Sequence, residues 1–398
     1  MKKLFIVASL SLLVFASCKK SENPNVSESI AQQTKISEAK NRLNAFIKEH
    51  NFSPRLPING EQTSCARTNS TNYKLSSNTD FNYYQSLIKR SINPDDYECG
   101  PTEINSYINN SVSNWTSDDF MYYSYFSAIP FDYVYVYDNT TGGQFYGNEG
   151  QYTNAINRTF KDLLRFWNIP TNILIRDAHG NIFNDVNKVT KILLLYSDLG
   201  ILGTMTPAEA EALANDLKIV FGSANFQNFN LPLLTFNAFA SPADLFFNTP
   251  KKIVMGDGIM KAYDDLGYSD VAPQAVLAHE YGHHVQFANG VDFGSSPEGT
   301  RRTELMADAF SAYFMTHKRG SAMNWKRVQQ FLKVFFDIGD CAFSNDGHHG
   351  TPNQRMKAAG FGYQLATDAQ KQGKILSSQE FITLFDQALP GLIAPDAN

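Results

Sequence analysis

The sequence has no surplus of positive charge and, beyond its N-terminus, no long hydrophobic run. It contains 34 lysines and arginines against 39 aspartates and glutamates, which gives a formal net charge of −5 at pH 7. Binding to nucleic acid needs a basic face that neutralises phosphates, so this balance argues against nucleic acid as a partner. The apolar run Ile192–Gly203 contains Asp198 and is shorter than the roughly 18 apolar residues that span a bilayer. The body of the chain is therefore expected to be soluble.

Cysteine is also scarce, with four residues in 398, and none of them shows a metal-ligand spacing such as CxxC. Cys18 follows the first apolar run, whereas Cys65, Cys99 and Cys341 are spread over the rest of the chain. An exported protein can form disulfides, and three cysteines leave one thiol over. A Cys65–Cys99 bridge, which would staple the N-terminal region, is the pairing we favour.

The N-terminus has the layout of a secretory signal peptide. A basic start precedes the apolar run Leu4–Phe15, and two small residues follow, which predicts a signal peptide over residues 1–17. Cys18 comes next and resembles the cysteine of a bacterial lipobox, which implies cleavage before Cys18 and a lipid anchor on it. The alternative is an ordinary signal peptide with an incidental cysteine. We predict a flexible stalk over residues 18–30 and a location in the cell envelope, at the outer membrane or cell surface.

Hydrophobic periodicity and cap residues predict five helices in the remainder of the chain. These helices are Ile30–His50, Asn154–Trp167, Pro207–Phe221, about 271–289 and about 300–317. Two strand-like runs, Leu233–Ala240 and Lys251–Met260, come before the last two helices. Strands followed by consecutive helices predict an α+β fold.

The stretch Trp115–Tyr137 is unusually aromatic. Its last part, FDYVYVY at residues 131–137, is predicted to be a strand, because aromatic and β-branched residues fit a pleated surface. The aromatic side chains could form a platform on which sugars or peptides stack. The interpretation that we favour is that they belong to the core and to the surface of a sheet.

The segment HEYGHH places three histidines and a glutamate within six positions. On a helix, residues four apart lie on one face, so His279 and His283 present their imidazoles side by side. Glu280 is about 100° round the helix from His279, where it could reach a water molecule next to the metal. His284 is about 140° round from His279 and points away, as a packing or supporting residue. This is the HExxH spacing of zinc peptidases.

A catalytic zinc site needs a third protein ligand and an open fourth position. Asn289 stands where the metzincin pattern requires a histidine, so that class is excluded. The segment TELMADAF supplies Glu304 on the next helix, as the third ligand. Asp308 lies one turn further on the same face, where it could hold the second ring nitrogen of a ligating imidazole.

These residues resemble a known family. HEYGHHVQ followed by ELMAD is similar to the paired motifs of bacterial neutral zinc metallopeptidases, within the gluzincins. FDIGDC and HGTPNQRMKAAGFGYQLA are similar to the family's closing segment, and the resemblance covers roughly residues 233–366. The sequence departs from the family at Ala309 and Cys341, neither of which is a ligand. The resemblance implies a zincin-like fold: a small mixed sheet, an HExxH active-site helix and a mainly helical C-terminal lobe.

The resemblance also implies roles for residues outside the two motifs. Asn237 and Ala238 look like the edge strand of related membrane-associated zinc peptidases, which could pair with a substrate backbone; an ordinary strand is the alternative. His349 is the favoured residue to stabilise the oxyanion, with His348 as its competitor and a purely structural turn as the alternative. Arg355 is expected to pair with an acidic residue near the site, and binding of substrate is the alternative.

The sequence as a whole therefore predicts a secreted, lipid-anchored Zn²⁺ peptidase that acts on a peptide or protein substrate. Residues 31–200 form an N-terminal region of unknown role, and residues 201–398 form the catalytic domain. Two alternatives remain open. One is a tethered binding or adhesion protein whose zinc is structural, and the other is a zinc amidase that acts on cell-wall peptide.

Overall fold

A computed structural model describes residues 29–50, 102–170, 172–269, 271–294, 296–339 and 349–395. Several predictions lie outside these residues, namely the signal peptide, the lipid anchor on Cys18, most of the stalk and any disulfide among Cys65, Cys99 and Cys341. Within the described ranges, no helix is both long and apolar enough to cross a membrane.

The described chain is mostly helical, with one small mixed sheet, which is compatible with the predicted α+β class. The helices are α1 (Ile30–Glu49), α2 (Glu103–Ser111), α3 (Ser117–Phe126), α4 (Ile129–Tyr137), α5 (Thr153–Trp167), α6 (Val186–Asp198), α7 (Pro207–Phe221), α8 (Asp257–Asp265), α9 (Ala272–Ala288), α10 (Pro297–Thr316), α11 (Trp325–Asp337), α12 (Pro352–Lys371) and α13 (Ser378–Leu392). The strands are β1 (Leu174–Ala178), β2 (Ala238–Ser241) and β3 (Lys252–Gly256).

The sheet has the order β1-β3-β2, so that β3 is central and β2 is an edge strand. β1 runs parallel to β3, with Ala178 opposite Gly256, and β2 runs antiparallel to it, with Phe239 opposite Val254. All five residues of β3 are buried. A strand that is buried on both faces needs a hydrophobic layer on each side.

Two hydrophobic cores supply those layers, because side chains alternate between the two faces of a strand. Ile253 and Met255 of β3 belong to a core built largely from α5, α9, α10, α12 and α13. Val254 of β3 and Phe239 of β2 belong to a second core, which is built from α1, α3, α4, α6 and α7. The sheet is therefore the partition between two helical layers.

The five predicted helices are confirmed to within a few residues at each end. Their starts show the expected capping chemistry. Thr206 accepts a hydrogen bond from Glu209 N–H, while the Glu209 carboxylate reaches back to the Thr206 backbone, and Pro207 occupies the first turn of α7. Arg42 of α1 forms a two-pronged ion pair with Asp216 of α7, which joins these two helices.

The strand predicted for residues 131–137 is wrong, because this segment lies in helix α4. Pro130 occupies the first turn of α4, where proline is favoured. Tyr133 and Tyr137, one turn apart, pack together with ring centroids 5.7 Å apart, and most of the other side chains are buried. A helix that is buried on nearly all sides has no 3.6-residue hydrophobic periodicity. The alternation of Tyr and Val in this segment therefore matched the two-residue pattern of a strand.

The other two strand predictions are confirmed in part. In the run Leu233–Ala240, a short 3-10 helix at Pro232–Thr235 precedes β2, so only the end of the run is strand. In the run Lys251–Met260, β3 ends at Gly256 and α8 begins at Asp257. The predicted boundary after residue 200 stays a prediction, although the sheet takes β1 from one side of it and β2 and β3 from the other.

Candidate metal centre

Helix α9 carries the HEYGHH segment through the interior of the molecule, packed between α5, α10 and β2. Every residue from Val276 to Gln286 is buried. Gly282 faces α10, and a Cβ atom at this position would lie 3.2 Å from Ala307 Cα. The glycine therefore allows the close approach of the next helix, which brings Glu304 to the two histidines.

The three predicted ligands converge on one point. The Nε2 atoms of His279 and His283 lie 3.2 Å apart, and they lie 3.2 Å and 3.3 Å from the two carboxylate oxygens of Glu304. In a tetrahedral zinc site with bonds of about 2.0 Å, neighbouring ligand atoms are about 3.3 Å apart. The three residues are buried and could hold a metal ion, and their donor set suits zinc with one position left for a fourth ligand.

Hydrogen bonds fix both imidazoles with Nε2 towards this point. Asp308 Oδ1 accepts a hydrogen bond of 2.8 Å from His279 Nδ1, which leaves Nε2 free of a proton when the ring is neutral. Gln286 Oε1 does the same for His283 Nδ1, at 2.9 Å. Both supporting residues are fully buried.

Sequence reasoning missed the role of Gln286. Its Nε2 donates a hydrogen bond of 2.7 Å to Thr303 O, the residue before Glu304, so that Gln286 ties α9 to α10 at the site itself. The signal was available, because Gln286 lies three residues after His283 and a helix brings such residues onto one face.

Arg355 on α12 holds the carboxylate of Asp308 from the other side. Its Nε donates to Asp308 Oδ2 at 2.8 Å, and a terminal nitrogen donates to Oδ1 at 2.7 Å. The same terminal nitrogen lies 4.0 Å from Glu304 Oε2. Arg355 thus pairs with an acidic residue at the site, and three helices are joined through two carboxylates.

The charges of the site favour a cation between its carboxylates. Burial lowers the pKa of His279, but its hydrogen bonds to Asp308 and Glu304 outweigh this and raise the pKa to about 10. Burial raises the pKa of Glu304, yet the charge of His283 and the hydrogen bonds from both histidines hold that pKa well below its usual range. An ionised Glu304 is the form that binds a metal ion.

Glu280 and His284 lie outside the ligand face of α9 and have different surroundings. Burial raises the pKa of Glu280, a carboxyl that is only 5% exposed. His284 Nε2 donates a hydrogen bond of 2.9 Å to Lys252 O on β3, and burial lowers the pKa of His284 to about 3. His284 is therefore a neutral residue that ties α9 to the sheet.

His349 lies on the segment that leads into α12. It is half-buried, and its charge contributes to the lowered pKa of Glu304. The next residue, Gly350, has φ of +106°, and a Cβ atom there would lie 3.0 Å from Leu305 Cδ2 on α10. The glycine lets this segment close onto α10 beside Glu304. His348, the competitor of His349, lies outside the described residues.

Asn237 and Ala238 lie at the start of the edge strand β2, which packs against α9. Gly256 N–H donates to Asn237 O, so the alternation of an antiparallel ladder turns the main-chain groups of Ala238 towards the free edge. Asn237 Oδ1 accepts a hydrogen bond of 2.8 Å from Ala238 N–H. Ala238 is partly exposed, whereas Ala240 is fully buried.

Compared with known proteins, the chain matches no family model, no curated protein and no solved structure. The resemblance to neutral zinc metallopeptidases therefore rests on the motif residues alone, and membership of that family stays a prediction.

Proposed function

We propose that this chain is a zinc-dependent peptidase with a zincin-like fold. The observation that carries the proposal is the set of separations, 3.2 Å to 3.3 Å, among the ligand atoms of His279, His283 and Glu304. The buried Glu280 follows His279 directly on α9. His279, His283 and Glu304 would hold the ion. When bound, zinc would polarise a peptide carbonyl and make a neighbouring water molecule more acidic.

The chain's own residues would manage the protons. Glu280 would take a proton from water and deliver it to the leaving amine, as a general base and then a general acid. Asp308 and Gln286 would keep the two imidazoles in the tautomer that offers Nε2. His349 would donate a hydrogen bond to the developing oxyanion, which is the charge that a fixed donor stabilises best.

The free edge of β2 would hold the substrate. An extended peptide can add to an edge strand through main-chain hydrogen bonds, and the carbonyl and N–H of Ala238 face that edge. The Asn237 side chain occupies the Ala238 N–H, so binding would require it to turn away or to bond to the substrate itself. The substrate class is thus an extended peptide outside the cytoplasm, reached by a protein anchored through Cys18.

The experiment is a digest of a peptide library by the purified protein, read by mass spectrometry. Glu280→Gln is expected to lower the cleavage rate by about 100- to 10,000-fold and to leave the metal content unchanged, because it removes a proton carrier and no ligand. Removal of the metal by a chelator is expected to abolish cleavage, and added Zn²⁺ to restore it.

Glu211→Gln, at an exposed position on α7, makes the same chemical change away from the site and is expected to cleave normally. If neither the native protein nor the zinc-restored protein cleaves any peptide while metal is bound, the proposal is wrong. That result would favour a structural metal in a binding protein instead.

A further inference from the structure

A second cluster of metal-type ligands lies at the carboxyl end of the two parallel strands. Asp177 and His179 lie at the end of β1, and Asp257 follows β3 directly. Because Ala178 is opposite Gly256 in the ladder, the residues that follow these two are brought together. Asp177, His179 and Asp257 each offer one ligand atom, and these atoms lie within 4.8 Å of one another.

Two buried carboxylate oxygen atoms of this cluster accept no hydrogen bond from the described residues. His179 Nδ1 lies 2.6 Å from Asp257 Oδ2, and Gly147 N–H donates to Asp177 Oδ2 at 2.9 Å. Asp177 Oδ1 and Asp257 Oδ1 have no hydrogen-bond partner among the described residues, although the two aspartates are only 2% and 3% exposed. A buried carboxylate oxygen without a partner is costly, which points to a missing ligand.

The charges point to a cation. Two buried carboxylates repel each other, and burial together with the charge of Asp257 raises the pKa of Asp177 well above its usual range. Within the described part of the chain, the ion pairs of these two aspartates involve His179 and neither lysine nor arginine. Three arrangements would offset the negative charge: a protonated His179, a proton held by Asp177 and shared with Asp257, or a bound metal ion.

We propose that Asp177, His179 and Asp257 bind a divalent transition-metal ion, separate from the one at His279 and His283. Two carboxylates with one imidazole suit Mn²⁺ or Zn²⁺, whereas Ca²⁺ and Mg²⁺ are held mainly by oxygen atoms. As the ion binds, a protonated His179 releases its Nδ1 proton to solvent and keeps the proton on Nε2, so that the lone pair of Nδ1 binds the metal.

The surroundings hold these ligands in place before any ion arrives. The ring of Phe145 stacks on His179, with centroids 4.3 Å apart. A Cβ atom on Gly258 would lie 1.7 Å from Pro232 O, so the backbone beside Asp257 is pressed against the neighbouring segment. An ion at this place would tie the end of β1 to the end of β3.

The test measures the metal content of the full chain, so it does not depend on the proposed peptidase activity. The protein is stripped with a chelator, dialysed against Mn²⁺ or Zn²⁺, and analysed by elemental mass spectrometry. The double variant His279→Ala/His283→Ala removes the first site and is expected to keep one equivalent of metal. The triple variant that also carries Asp257→Asn is expected to bind no metal.

His50→Gln, a histidine outside both clusters, is the matched control and is expected to leave the metal content unchanged. His179→Gln, at a partly exposed ligand, repeats the test if Asp257→Asn does not fold. If the double variant is folded by circular dichroism but binds no metal, the proposal is overturned and protons on His179 or Asp177 neutralise the cluster. If the double variant does not fold, Asp257→Asn or His179→Gln in the native chain must still lose one equivalent.

Discussion

At the scale of single residues, Asp308 has the most demanding position in the candidate metal centre. Its carboxylate is fully buried and accepts hydrogen bonds from His279 and from two nitrogen atoms of Arg355. Arg355 fixes the Asp308 carboxylate, and this carboxylate in turn orients the His279 imidazole, so the position of a candidate ligand depends on a residue of α12. Loss of this carboxylate should therefore affect both the metal and the fold.

Asp308→Ala is expected to weaken zinc binding by about 10- to 100-fold, since outer partners of metal ligands contribute that much. It is also expected to lower the free energy of unfolding by about 3–5 kcal/mol, because it leaves the guanidinium of Arg355 buried without its partner. Zinc affinity is measured by competition with a chromophoric chelator, and stability by urea unfolding.

Asp386→Ala is a matched control, because Asp386 forms a similar two-pronged pair with Arg302 at 2.8 Å and 2.9 Å. This variant is expected to lose stability and to keep its zinc affinity. Equal zinc affinity in both variants would show that Asp308 serves the fold alone.

Lys252 is a fully buried lysine at the start of the central strand β3. Its Nζ donates to Val134 O at 2.8 Å and to Tyr135 O at 2.6 Å, and so caps the C-terminal end of α4. Burial lowers the pKa of Lys252 to about 7, with a smaller raising effect from Asp138 and a lowering effect from Arg176. In the unfolded chain a lysine has a pKa of about 10.4.

Between these two pKa values the unfolded chain holds a proton that the folded chain has released, so stability rises with pH. From pH 7.5 to 9 the free energy of unfolding is expected to rise by up to about 2 kcal/mol more in the native protein than in Lys252→Met. Urea unfolding at the two pH values measures this difference. The same pH dependence in both proteins would mean that the two carbonyls keep the ammonium charged.

At the scale of elements, the contact between α9 and α10 decides the geometry of the metal centre. Gly282 on α9 faces Ala307 and Phe310 on α10. Helix α10 is also held closely by α12, where a Cβ atom on Gly362 would lie 2.2 Å from Ala309 O. Helix α10 therefore has little room to move away from α9.

Gly282→Ala is expected to weaken zinc binding and to destabilise the fold, because its methyl group would lie 3.2 Å to 3.4 Å from atoms of Ala307 and Phe310. Overpacking of this kind costs about 1–3 kcal/mol, which exceeds the gain of about 1 kcal/mol in helix propensity. Urea unfolding and zinc competition measure the two effects.

Gly360→Ala on α12 is the control, since nothing lies within 4 Å of its would-be methyl group. This variant is expected to gain about 0.5–1 kcal/mol of stability. If Gly282→Ala were stabilised to the same degree with unchanged zinc affinity, close approach at Gly282 would not set the position of Glu304.

The parts of the site that could be predicted from the sequence are those set by the period of a helix. His279 and His283 are one turn apart, and Glu304 and Asp308 repeat that spacing on the next helix. Helix α4 was misread because burial on almost all sides removed its periodicity. Asp177 and Asp257 are 80 positions apart and meet only through the parallel pairing of β1 with β3, which leaves no local pattern in the sequence.

At the scale of the whole molecule, the sheet joins the first half of the chain to the second. β1 lies before residue 200 and pairs along its whole length with β3, which lies after it. Helix α5 packs against α9, where Phe160 contacts Tyr281 with ring centroids 6.1 Å apart. The candidate metal ligands on α9 and α10 therefore depend on elements from both halves.

A chain limited to residues 201–398 is consequently expected not to fold, because it would lack β1, α5 and most of the second core. The loss would expose one edge of β3, a strand that is buried on both faces. Circular dichroism and urea unfolding should show no cooperative transition for this fragment. A chain of residues 29–398, which keeps every described element, is the control and should unfold at the same urea concentration as the full-length protein. A cooperative transition in the shorter fragment, with zinc bound, would instead establish residues 201–398 as an independent domain.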